Sequence, residues 1–98
     1  MRTDVSIRHE NDSARLRAYV ASRLGRLATI FDRTLSVRAV LDRERDQHRV
    51  ELVSSVGRGQ VLVVEARGDS LGSALSEALD RMRSVLSKHK GKRFLRRR

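Results

Sequence analysis

The 98-residue chain has no cysteine, no proline and no tryptophan, and its aromatic residues are one Tyr and two Phe. Without Cys there is no disulfide, no thiolate nucleophile and no Cys-based zinc site. Without Pro or any Ser/Gly-rich run there is no linker, and the length suits one domain with a core able to fold unaided. No apolar run approaches the roughly 20 residues that cross a bilayer. Met1-Arg2-Thr3-Asp4 lacks the apolar core of a signal peptide. These absences point to the cytoplasm and away from a membrane.

Acid is also scarce. Twelve Asp and Glu stand against 22 Lys and Arg, giving a net charge of +10 and a pI near 11.6. A balance of that sign points to nucleic acid or an anionic membrane as partner. Nineteen of the 22 are Arg, whose planar fork matches phosphate oxygens bidentately. The scarcity is sharpest from Ser13 to Phe31, where Arg15, Arg17, Arg23 and Arg26 occur with no Asp or Glu. A solvated helix would intersperse Glu, because opposite charges at i and i+4 stabilise it by roughly 0.2 to 0.5 kcal/mol per pair. Here that option is unused, as suits a helix that meets polyanion.

At about 100° per residue, Leu16, Val20, Leu24, Leu27 and Phe31 share one sector, the stripe of a helix packed on a core. Arg15, Arg26 and Arg33 align on a second stripe. Tyr19 and Arg23 lie between the two, placed to cover apolar surface with their stems while their polar ends reach outward. Arg17 flanks the core on the other side.

Before this helix, Val5 and Ile7 alternate with Ser6 and Arg8 as a short strand, and Ser13 or Asp12 can cap the helix. Leu35, Val37, Ala39 and Leu41 mark a second strand, and Arg43-Glu44-Arg45-Asp46 a charged hairpin. Val50, Leu52, Ser54 and Val56 form one face of a third strand. Gly57-Arg58-Gly59 signals a tight turn into a fourth strand over Gln60 to Arg67. After Gly68-Asp69-Ser70, a second helix carries Leu71, Leu75, Ala78, Leu79, Met82, Leu86 and His89 on one sector, with Gly91 as its predicted end. The expected fold class is α+β in the order β-α-β-β-β-α: a four-stranded mixed sheet with both helices on one face and the other face open. Val40, Val53, Val61 and Val63 fall on that open face. Residues 1–90 form the expected domain, and 91–98 a basic, disordered tail; from Lys88 onward there are seven basic residues and no acid.

Catalysis is not indicated. His9, His48 and His89 show no spacing that would put two imidazoles on one metal, and no P-loop, GxGxxG or GxSxG is present. Asp42, Glu44 and Asp46 alternate with Arg43 and Arg45, as in a charge-balanced turn. No cofactor, metal or small-molecule substrate is called for.

The element order and the residues filling it resemble the short ribosome hibernation promoting factor and ribosome-associated inhibitor family (sigma-54 modulation protein-like). The likeness in the first half rests on Arg8-His9, Ser13, Leu16-Arg17, Tyr19-Val20, Arg23-Leu24, Arg26-Leu27 and Phe31-Asp32. In the second half it rests on Ser70-Leu71, Ala74-Leu75, Asp80-Arg81-Met82, Leu86 and Lys88-His89-Lys90. It covers about residues 5 to 90. Departures stand at Ile7, where the family commonly has a small residue, Asp12, where it has an apolar one, and Gly72, where Tyr is usual.

The resemblance implies a cytoplasmic bacterial translation inhibitor of stationary phase and stress. Such a protein binds small-subunit rRNA near the decoding centre, blocks mRNA and tRNA access and stores the ribosome. It implies that Arg8, Arg17, Arg23, Arg26, Arg81, Lys88 and Lys90 contact rRNA. The helical stripe adds Arg15 and Arg33, and the basic tail adds Lys92 and Arg93. A free monomer is expected. Two other readings fit the same residues: a general RNA-binding module built like a double-stranded-RNA-binding domain, and a protein-interaction module using the valines of the open face.

Overall fold

The computed structural model describes residues 2–8, 13–30, 36–57 and 59–96, with residues 28–30 and 89–96 described as backbone. Six elements follow in order: β1 (Arg2–Ile7), α1 (Ala14–Ile30), β2 (Ser36–Glu44), β3 (Gln47–Ser55), β4 (Val61–Gly68) and α2 (Leu71–Arg96). The strands form one sheet in the order β1-β2-β3-β4. β1 lies parallel to β2, with Val5 beside Ala39, and the two hairpins make the remaining pairs antiparallel. The expected mixed α+β sheet is therefore the observed one.

Each boundary has a local cause. Ser13 caps α1, its Oγ accepting from the Leu16 N–H at 3.0 Å, and Ser70 caps α2 in the same way, accepting from Ser73 at 3.1 Å. Between β3 and β4, Gly57 and Gly59 have φ of 91° and 72°, where a side chain would be strained. The β2–β3 loop is tighter than its charged sequence suggests. Glu44 already pairs with Gln47, leaving only Arg45 and Asp46 to turn.

The core is one layer between the sheet and both helices. Val20, Leu24 and Leu27 of α1 and Ala74, Leu75, Ala78, Leu79, Met82 and Leu86 of α2 are buried against Val37, Ala39, Leu41, Val50 and Leu52. Leu16 and Leu71 pack at its margin, while Phe31 and Arg33 lie outside the described residues. Truncating a side chain such as Leu24 to Ala should cost about 2 to 5 kcal/mol. Ser54 shares this face and is fully buried, and its Oγ has no hydrogen-bond partner among the described residues.

Two expectations need correction. α2 does not end at Gly91 but runs on to Arg96. A helix-interior Gly costs only about 1 kcal/mol relative to Ala, and the flanking Lys90, Lys92, Arg93 and Leu95 are good helix formers. The helix thus spans about 39 Å, whereas a nine-residue strand spans about 30 Å, so its last turns extend beyond the sheet. On the open face, Val40 is buried, flanked in register by Ser6 and Glu51 on an inner strand. Val61 and Val63 on edge strand β4 are exposed as expected.

Candidate nucleic-acid interface

Charge is partitioned by element. α1 contributes four Arg and no acid, and α2 contributes seven basic residues against Glu77 and Asp80. Every strand sums to zero: Arg2 with Asp4, Arg38 and Arg43 with Asp42 and Glu44, Arg49 with Glu51, Arg67 with Glu65. The two helices therefore carry +9 of the chain's +10.

On the open face the charges neutralise one another. Arg49 pairs with Glu51 at 2.9 Å and with Glu65 at 3.2 Å, and Arg67 pairs with Glu65 at 3.0 Å and with Glu44 at 3.1 Å. Hydrogen bonding from Arg49 holds the Glu65 carboxyl below the ordinary carboxylate range, against the opposing effect of burial. The same contact raises the pKa of Arg49. Arg49 and Arg67, already committed to carboxylates, have little to offer a phosphate; Arg38 on the same face is exposed, with no ion pair among the described residues.

The sequence-predicted residues do not form a single cluster. Arg15, Arg23 and Arg26 share the flank of α1 that meets α2, since the Arg23 guanidinium donates to Ser76 Oγ of α2 at 3.3 Å. It also donates to the Tyr19 hydroxyl at 3.0 Å, so Arg23 does not simply reach outward but bridges the helices. Arg15 and Arg26 are exposed, and Arg15 has no hydrogen bond or ion pair among the described residues.

Arg17, on the opposite flank, donates to the Val5 carbonyl at 2.6 Å. The Arg8 N–H donates to Leu41 O, so alternate residues of β1 point to β2 and Val5 points to the open edge of the sheet. At the other edge, Val56 donates to Gln60 O, which by the same alternation turns Glu65 outward. Its carbonyl accepts from Arg81, and Arg81 also pairs with Glu77 at 2.7 Å. Two of the expected rRNA contacts are thus caps on exposed strand edges, which would otherwise offer unpaired backbone groups to another chain. These tertiary contacts leave no local trace in the sequence.

Strand alternation continued past Ile7 places Arg8 on the open side. Lys88 is exposed and has no partner among the described residues. Lys90, Lys92 and Arg93 lie on the last turns of α2, with only their backbone described. Sequence reading missed Arg83, two turns after Ser76 and hence on the flank facing α1; it is exposed and only loosely paired with Asp80 at 3.9 Å. That i, i+7 relation was visible, but which flank meets α1 was not. At Gly72 an added Cβ would meet nothing within 4 Å, so the departure at that position relieves no crowding.

Among the described residues no group of three or more His, Cys, Asp and Glu could hold a metal, and no helix is long and apolar enough to cross a membrane.

A neutral sheet that carries two strongly basic helices has the build of a polyanion-binding α+β protein. The chain belongs to the sigma 54 modulation protein / S30EA ribosomal protein family, whose model matches residues 3–93. It is 29% identical over 92 residues to the ribosome hibernation promoting factor of Pseudomonas putida, covering 94% of this chain and 89% of that one. Its fold is that of a ribosomal subunit interface protein from Coxiella burnetii, with a TM-score of 0.82 at 16% identity over 93% of this chain and 99% of the other. The N-terminal domain of Thermus thermophilus Protein Y superposes with a TM-score of 0.78 at 22% identity, over 91% and 99% of the two chains.

Proposed function

We propose that this protein is a ribosome hibernation factor of the bacterial cytoplasm. In this reading it binds the small ribosomal subunit through rRNA near the decoding centre and blocks the path of mRNA and tRNA. The observation that carries the reading is the confinement of +9 of the net +10 charge to α1 and α2. Family membership and the name of the Pseudomonas putida relative support the ribosome as the polyanion. A generic duplex-RNA reader would use the same charge, but family membership favours the ribosome.

Arg15, Arg26, Lys88, Lys90 and Lys92 are the leading phosphate contacts, with Arg93 and Arg33 in support. Arg23 divides its role between bridging the helices and binding, and Arg8 contacts rRNA at the margin. Arg17 and Arg81 hold the sheet edges and contribute through long-range field more than through contact. The protein binds as a monomer and performs no catalysis. Sucrose-gradient profiling of a tagged copy from stationary-phase cells tests this: the protein should travel with small subunits or whole ribosomes, and a profile confined to the top of the gradient would reject it.

Val61 and Val63, 53% and 58% exposed beside Val53, favour a second reading, a sheet-mediated contact with protein. Sedimentation of the purified protein separates the two for self-association, since a dimer would support the sheet contact.

A further inference from the structure

Tyr19 is the chain's single tyrosine, and it is 45% exposed on the helix that carries no acid. Placing an aromatic ring in water forgoes the burial that would repay it. Three cations flank this ring: Arg15 lies one turn before it, Arg23 one turn after and Arg26 two turns after, at spacings that share a helix face. The ring is also held in place. Its hydroxyl accepts from Arg23 at 3.0 Å, the Arg23 guanidinium carbon lies 5.9 Å from the ring centroid, and the other arm of Arg23 is tied to Ser76 on α2. That distance is at the outer limit of a cation–π contact. The chain Tyr19–Arg23–Ser76 therefore fixes an exposed ring relative to both helices.

We infer that Tyr19 is a stacking platform for an unpaired RNA base, with Arg15 and Arg26 receiving the flanking phosphates and Arg23 acting as the positioning residue. The inference rests on the rRNA-binding reading above and adds to it a specific chemistry. Phosphate contacts alone do not distinguish duplex from single strand, whereas a ring can stack only on a base whose face is free. A base with its flanking phosphates suits the site better than a protein side chain because the α1 side of the ring offers Arg15, Arg23 and Arg26, and α1 carries no carboxylate. Arg23 supplies order to the site as well as charge: with the hydroxyl tethered, little side-chain freedom remains to be lost when a base arrives.

The test compares wild type, Tyr19→Phe, Tyr19→Leu and the double variant Arg15→Gln/Arg26→Gln for binding to purified small subunits across a salt series, with melting temperatures recorded. Tyr19→Phe should bind within a few-fold of wild type, because the ring is kept. Tyr19→Leu should lose roughly 5- to 150-fold with its salt slope unchanged. Arg15→Gln/Arg26→Gln should flatten the slope by about 1.4 to 1.8, since two fewer phosphates are neutralised. Because the chain has one Tyr and no Trp, its intrinsic emission reports this ring alone. Oligoadenylate should quench that emission more than an RNA duplex of equal phosphate number does.

Undiminished binding by Tyr19→Leu, or equal quenching by duplex and single strand, would overturn the stacking role and leave the rRNA reading standing. Failure of the wild type to bind small subunits at any salt would overturn both.

Discussion

Replacing Arg23 by Gln should lower both affinity and stability, and the two losses have separate origins. Arg23 donates to Tyr19 at 3.0 Å and to Ser76 at 3.3 Å, tying α1 to α2 across a partly buried contact. A hydrogen bond of this kind contributes about 0.5 to 1.5 kcal/mol net, and the longer of the two less. Partial exposure and the residual bonding capacity of Gln bring the expected loss to about 1 kcal/mol. In a domain of this size that lowers Tm by about 4 to 8 °C. Arg15→Gln, on the exposed part of the same flank, should stay within about 0.5 kcal/mol of wild type, while weakening ribosome binding comparably. Differential scanning calorimetry of the two variants, together with Ser76→Ala and Arg23→Gln/Ser76→Ala, completes a double-mutant cycle with an expected coupling of roughly 0.5 kcal/mol. Equal, negligible Tm shifts for Arg23→Gln and Arg15→Gln, with zero coupling to Ser76, would refute the bridge and return Arg23 to the class of purely outward-facing cations.

Ser54→Ala should raise the unfolding free energy by roughly 1 kcal/mol, because the buried hydroxyl has no partner among the described residues to lose; a higher urea midpoint with an unchanged m-value would show it. Gly72→Ala should also stabilise, by about 0.5 to 1 kcal/mol, since the new Cβ has open space on a helical backbone, and calorimetry would reveal the gain as a higher Tm. The depressed Glu65 pKa stabilises the fold above the unfolded carboxylate value, near pH 4, and that contribution disappears as pH falls through the lower folded value. Glu65→Gln should accordingly be about 0.5 to 1 kcal/mol less stable than wild type at pH 7, with the gap closing in melts below about pH 4. Deleting residues 91–98 lowers the net charge from +10 to +5 but leaves in place Leu86 and every other residue of α2 shown to be buried. The sheet should survive while far-UV helicity, ribosome affinity and salt slope all fall; unchanged affinity would mark the segment as solubilising only.

The element order was legible because each period was clean: alternation on four strands, a single apolar sector on each helix, Ser at both caps and Gly at the tight turn. The end of α2 was not, because Gly91 reads as a helix stop by composition, whereas only its backbone conformation decides between a cap and an interior position. The basic character of the interface was likewise visible in α1, where four Arg occur without acid. The separate fates of those arginines were not. Arg17 and Arg81 are drawn to the Val5 and Glu65 carbonyls by strand edges about 12 and 16 residues away in sequence, and nothing local distinguishes them from Arg15. Val40 was assigned to the correct face, but its burial depends on neighbours contributed by β1 and β3.

The central claim, that the helix cations neutralise rRNA phosphates, is most directly tested by the salt dependence of binding to purified small subunits. If about five phosphates are neutralised, by the set headed by Arg15, Arg26 and Lys88, log affinity should fall against log salt with a slope of about 3.5 to 4.5. A slope near zero would contradict the account, because it would mean that no counterions are released where +9 of charge is said to meet the ribosome.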